Sequence, residues 1–286
     1  MNRLYGVMKV TVALILNYIF FNMFLDIKWS IGITFMIAIL TYLGEYVGLI
    51  QDGAIPLKNI EPYYKEKLEI SYQILCEQGK QRGINLKEFR LYLIPREEIN
   101  AYAYAYGKSS IGITKGLLET DEFSIASVMG HECGHCFALD SYLKRIFFLD
   151  ITIVLFALSV MGFLGLGLIW FIFIMLCLVG LCGGFLSVYL TGFLGRVIKG
   201  IFSGLQRLVL LIYQTALGAL SRRMEYRADY FVAKTLDMGE ELSFFLNCFA
   251  ADNGFPRTLR EIMYASHPAT HKRVARIQKQ TKKYLI

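Results

Sequence analysis

Residues 130–136 read GHECGHC, and two chemistries overlap in that stretch. His131 and His135 stand four apart, and on an α-helix such residues share a face with Cβ atoms about 5–6 Å apart. Two imidazoles so placed can converge on one zinc ion, which takes nitrogen ligands at about 2.0–2.1 Å in tetrahedral geometry. Glu132 projects beside them, placed to take a proton from water activated by the metal. The same letters contain Cys133-Gly134-His135-Cys136, the CGHC pattern of a redox dithiol. Such a dithiol sits where a strand meets a helix N-terminus, whose dipole lowers the thiol pKa. Here the stretch 124–140 reads as one helix, so Cys133 lies well inside it. A rotation of about 100° per residue also turns Cys133 away from the histidine face. Both cysteines are expected to pack as small hydrophobes.

Two histidines do not complete a zinc site. The continuation of HExxH that supplies a third histidine needs Gly and His at positions held here by Ala138 and Ser141. The remaining ligand must come from elsewhere, and the candidates are Glu225, Glu240, Glu241, Glu261, His267 and His271. Glu240 and Glu241 follow Gly239 and precede an apolar helical stretch, where acids suit a helix start. Glu225 differs because Asp229 lies one turn further along the same face. A ligand carboxylate beside a carboxylate that orients a ligand histidine is an expected pairing. The competing reading makes Glu225 a surface acid among Arg222, Arg223 and Arg227. Ser266-His267-Pro268 opens a basic helix, since proline suits the first helical turn, and His267 can serve there as a cap. His271 is expected to face solvent one turn on.

Much of the rest of the chain is expected to lie in a membrane. Of the 286 residues, 55% are hydrophobic and 19% charged, and the mean hydropathy is +0.45, a more apolar balance than soluble domains carry. Residues 10–25 are uncharged, and residues 29–50 are broken only by Glu45. The tract 146–195 carries Asp150 as its single charge. Fifty helical residues would extend ~75 Å, against a hydrocarbon core of ~30 Å, so the tract must fold back. Gly162, Gly165, Gly167 and Trp170 place the turn near 163–170, with the Gly180–Gly184 cluster as the alternative. Residues 197–220 have the spacing of an amphipathic helix running along or just below the membrane.

Four spans result, and the charges orient them. Twelve Lys and Arg fall in 51–145 and fifteen in 196–286, whereas only Lys28 lies in a loop on the opposite side. Positive residues favour the cytoplasmic side, so both termini and both polar segments are expected there, in a multi-pass cell membrane. No nucleic-acid partner is expected. Cys177 and Cys182 lie in an apolar run, and the six cysteines do not look like a secreted disulfide framework.

Residues 100–106, Asn-Ala-Tyr-Ala-Tyr-Ala-Tyr, alternate with period two, which predicts a strand with tyrosines on one face and alanines on the other. Residues 90–94 before it and 109–114 after it complete a small antiparallel sheet beside the zinc helices.

Taken in order, Asn100-Ala101-Tyr102-Ala103, HECGH at 131–135, SRRMEYRAD at 221–229, and Ser266-His267-Pro268 followed by Arg273 resemble the HtpX-type family of membrane zinc metalloproteases. That family is related to the CAAX prenyl endopeptidases. The order of spans and motifs matches too, so the likeness covers nearly the whole chain. Cys133 departs from it, standing where the family usually has an aliphatic residue. The resemblance implies a gluzincin site with one zinc ion per chain, His131, His135 and Glu225 as ligands, and Glu132 as catalytic base. It further implies that Asp229 orients a ligand, and that His267 lies near the metal to contact the substrate or the oxyanion. Asn100, Ala101, Tyr102, Ala103 and Arg273 would bind substrate, the strand acting as a free edge along which an extended peptide aligns.

The expected fold is therefore mainly α with a small antiparallel β-sheet: four transmembrane helices plus a cytoplasmic gluzincin-like domain. Residues 1–50 supply two spans, 51–145 the first part of the domain, 146–195 a transmembrane hairpin and 196–286 the second part. The expected activity is hydrolysis of membrane-associated or misfolded polypeptides, with the lipid bilayer as the other partner. Two rivals are a site-2-type intramembrane protease, with HExxH inside a spanning helix, and a catalytically silent scaffold retaining a structural zinc.

Overall fold

The computed structural model describes residues 3–86, 88–104, 109–178, 185–249 and 268–281. The N-terminal apolar runs form two helices, α1 (Arg3–Asn22) and α2 (Ile27–Gln51). A short strand β1 (Ile55–Pro56) leads through a 3₁₀ turn to α3 (Pro62–Gln81), which has proline in its first turn, where the missing N–H costs nothing. Next come β2 (Arg90–Ile94), β3 (Ala101–Tyr104), β4 (Ser110–Thr114) and a single turn α4 (Lys115–Leu118). The helix carrying HExxH is α5 (Glu122–Ala138), capped by Asp121, whose side chain accepts from the Ser124 backbone N–H at 2.8 Å. It stops at Leu139, which is left-handed with φ 51°. Then follow α6 (Asp140–Leu178), α7 (Phe185–Tyr230), a π-helical continuation at Phe231–Leu236, α8 (Gly239–Phe249) and α9 (Thr270–Thr281).

Four of these helices, α1, α2, α6 and α7, are long and apolar enough to cross a membrane. The HExxH helix α5 is not among them.

The sheet corrects one expectation. It is mixed rather than antiparallel, with order β1-β2-β4-β3. β4 pairs antiparallel with β3 and parallel with β2, Leu91 facing Ile111 and Leu93 facing Ile113. Every residue of β4 is buried, so it needs cover on both flanks and takes the centre, leaving β3 at the edge. The period-two reading of β3 is visible in the Tyr102 and Tyr104 rings, whose centroids lie 6.5 Å apart. Residues 105–106 lie outside the described residues.

The chain divides into two compact units. In the smaller, Phe147–Ala216, the expected turn near 163–170 is absent, because α6 runs unbroken through it. The glycines serve packing between α6 and α7 instead. A Cβ at Gly162 would stand 3.2 Å from the Phe202 ring, and one at Gly165 3.5 Å from Ile198. The alternative break, Gly180–Gly184, lies outside the described residues. Nor is 197–220 a separate amphipathic helix, since α7 continues without a break from the apolar run to Tyr230.

In the larger unit, Met1–Ile146 with Leu217–Ile286, one apolar core joins α3, β4, α5, the π segment, α8 and α9 through residues such as Leu75, Ile111, Met129, Phe231, Leu246 and Ile277. The position that brings the chemistry together is Gly134 on α5. A Cβ there would lie 3.1 Å from the Ala228 Cα and 3.5 Å from the Phe231 Cβ. Gly134→Val should therefore push α5 from α7 and cost about 1–3 kcal/mol by overpacking. Its bound zinc, measured by elemental analysis, should fall with its thermal stability; unchanged zinc content at lower stability would uncouple the helix spacing from the site.

Candidate metal centre

α5 presents His131 and His135 from one face, and α7 presents Glu225 toward them. Their rings stand at 82° with centroids 4.8 Å apart. The His131 and His135 Nε2 atoms are 3.1 Å apart; Glu225 places Oε2 3.4 Å from the first and Oε1 3.6 Å from the second. All three residues are buried, and one ligand atom from each lies within 4.8 Å of the others. The corners of a tetrahedral zinc site with bonds near 2.05 Å are about 3.3 Å apart; Glu225 meets each histidine with a different oxygen, and the three side chains are close enough to share one ion. Among the described residues no other group of three such side chains is close enough to hold a metal. Glu240 and Glu241 sit in the first turn of α8, and His271 is exposed on α9. Glu261 and His267 lie outside the described residues.

Each histidine has a carboxylate behind it. Asp229 Oδ1 is 3.1 Å from His131 Nδ1, and Asp140 Oδ2 is 2.8 Å from His135 Nδ1. At His135, a proton held on Nδ1 toward Asp140 leaves the Nε2 lone pair for a metal. Sequence reasoning found Asp229 by its helical spacing from Glu225. It missed Asp140, which follows His135 across the break at Leu139, where helical spacing no longer applies. A buried acid directly after a helix stop was the one available signal.

These carboxylates are themselves held by cations. Arg273, brought in on α9, donates from Nε and a terminal nitrogen to Asp229 at 2.9 and 2.7 Å, and lies 3.3 Å from Glu225. Asp140 receives Lys9 from α1 at 3.0 Å and also Arg227 from α7. Burial works to lower the His131 pKa, but the Asp229 and Glu225 carboxylates override it and hold the imidazolium up to about 9. The same negative surroundings favour a divalent cation, for which that proton would have to leave. Burial pushes the Glu132 carboxyl above its ordinary range, and the nearby His135 charge opposes the shift.

Glu132 opens onto a cleft of about 610 Å³ that it shares with the histidines and with Asn100, Ala101, Tyr102, Ala103 and Arg273. The expected substrate residues are thus gathered around the expected base, although the guanidinium of Arg273 is turned to Asp229 and Glu225. Asn100 accepts from the Ala101 N–H at 2.9 Å, shaping the start of the edge strand. The end of α2 forms a further wall through Glu45, Gly48 and Asp52. Glu45 is only 1% exposed, lines this polar cleft and binds Arg145 at 2.8 Å. Cys133 and Cys136 are buried and unbonded, and burial drives both thiols well above their ordinary pKa, which leaves no reactive dithiol.

An HExxH helix whose two histidines meet a glutamate from a second helix is the layout that defines gluzincin metalloproteases. Residues 72–281 match peptidase family M48, and the chain belongs to that family. Its fold is similar to that of S. mikatae Ste24p, with a TM-score of 0.52 at 19% identity over 93% of this chain. The alignment covers 62% of that longer protein. No curated protein sequence matches it.

Removing the two kinds of support should separate their effects. Glu225→Ala should leave zinc content well below one ion per chain, whereas Asp140→Asn should retain the ion but bind it about 10–100-fold more weakly. Chelator competition on the purified proteins measures both, and wild-type affinity in Asp140→Asn would remove Asp140 from the support of His135.

Proposed function

We propose that this protein is a membrane zinc metalloendopeptidase in which His131, His135 and Glu225 hold the ion and Glu132 is the general base. The observation that carries the reading is the buried trio with zinc-like spacings, opening on the same cleft as a sheet edge. A zinc ion held there would supply Lewis acidity toward a scissile carbonyl and would lower the pKa of a water. Glu132, beside that position, would accept a proton from the attacking water and return it to the departing amine. The raised pKa of its carboxyl has the right direction for a group that must accept a proton near neutrality. Asp229 and Asp140 keep the imidazoles oriented, and Arg273 keeps Asp229 and Glu225 in place. His267 would contact the substrate or the oxyanion.

The substrate is a polypeptide, and membrane-associated or misfolded chains suit the setting best. Edge strand β3 has backbone groups to offer on the side away from β4, and a peptide added there gains affinity without a demand on side-chain identity. Residues 51–145 and 196–286 form the protease domain on the cytoplasmic side, around spans in 1–50 and 146–195.

Activity and binding can be tested together with an unfolded reporter protein in detergent. Glu132→Gln should keep its zinc and lose cleavage by at least about 100-fold. Ala103→Pro removes one strand donor and fixes φ near −65°; it should lose most cleavage with zinc and thermal stability retained, while Ala103→Ser stays active. Full cleavage by a well-folded Ala103→Pro protein would sink the strand-addition scheme.

The orientation has its own test. On a background without native cysteines, a cysteine at Lys28 should react with an impermeant thiol reagent added outside intact cells, and one at Lys80 should not. Labelling at position 80 from outside would reverse the topology and leave the site chemistry untouched.

A further inference from the structure

Three described cations line the cleft, and two of them are already neutralised. Arg145 is paired with Glu45, and Arg273 with Asp229 and Glu225. Lys144, the third, is partly buried and makes no ion pair with a described residue. It projects from the first turns of α6 into the same space as Glu132, near enough for its charge to act on that carboxyl.

A partly buried lysine that faces a binding cleft and makes no ion pair with a described residue favours ligands that bring a counter-charge. A carboxylate gives it a charge-assisted hydrogen bond, stronger than a neutral carbonyl can. Such a group raises specificity more through complementarity than through bulk affinity. We propose that Lys144 is a specificity-determining subsite of the cleft that selects polypeptides carrying a carboxylate where they pass its side chain. The carboxylate is that of an acidic side chain or of the substrate C-terminus. The inference rests on the peptidase reading above, because it takes the cleft to be a peptide site.

Binding without turnover tests it. The full-length, zinc-loaded protein carrying Glu132→Gln is titrated in detergent with fluorescein-labelled peptides. One series moves a single Glu along a neutral sequence, with Gln counterparts, and each peptide is made as a free acid and as an amide. One Glu position, or the free C-terminus, should tighten Kd by about three- to tenfold, as a partly exposed ion pair does. That preference should weaken with added salt. Adding Lys144→Met should erase it, Lys144→Glu should invert it, and Lys144→Arg should retain it. Dependence on the Glu position in the amide series identifies a side-chain carboxylate; dependence on the free acid alone identifies the C-terminus. Absence of any carboxylate preference, or a preference that survives Lys144→Met, overturns the proposal. Cleavage of the same peptides by the protein with Glu132 intact is scored separately. Failure there refutes the peptidase reading, while the anisotropy data still decide on Lys144.

Discussion

Where α5 crosses α7, residue 134 has no side chain, and the Ala228 Cα comes within van der Waals reach of the space a Cβ would fill. That close approach sets everything at the centre of the molecule. Side chains reaching out from both helices have little distance to cover, so Glu225 meets two imidazoles whose separation is already fixed by a single helical turn. The apolar layer behind, with Phe231, Met129 and Cys133, keeps the helices at that spacing because interiors packed to crystal-like density resist small displacements. The π-helical stretch after Tyr230 belongs to the same arrangement, since such irregularities gather where a helix must re-aim its side chains near a site.

Bringing two histidines and three carboxylates into one buried region carries a large desolvation cost, and an unpaired buried charge is not tolerated. The fold answers with cations from distant parts of the chain: Lys9 from α1, Arg227 from α7 and Arg273 from α9. Asp140 is thus contacted from three directions, and Asp229 is gripped by two nitrogens of one guanidinium. The arrangement turns the Nε2 atoms of both imidazoles toward each other and toward Glu225. It also ties the N-terminal helix and the C-terminal helix to the metal centre, so the site reports on the integrity of the whole larger unit.

The cleft joins surfaces of different character. One wall is the exposed edge of a sheet; another is the last two turns of α2, a helix apolar enough to span a membrane. Asp52 at the end of α2 receives Arg96 at 2.8 Å and the Tyr104 hydroxyl, which fastens the edge strand to that helix.

Local pattern made much of this legible. HExxH, the Glu225–Asp229 spacing, the apolar runs and the alternating tyrosines are all statements about neighbours within a turn or a strand, and periodicity carries them. The spans at α1 and α2 were readable because length and composition alone decide whether a helix can cross hydrocarbon. Three features were not readable, for a common reason. The parallel pairing of β2 with β4 depends on which strand has cover on both faces. The uninterrupted course of α6 through Gly162 and Gly165 depends on Phe202 and Ile198 filling the space those glycines leave. The partnership of Asp140 with His135 arises across a left-handed residue that breaks the helical count. In each case the deciding contact joins residues whose separation along the chain obeys no period. Residue type and spacing specify which groups can do chemistry; only packing in three dimensions selects their partners, because burial cost is set by neighbours that the chain order does not name.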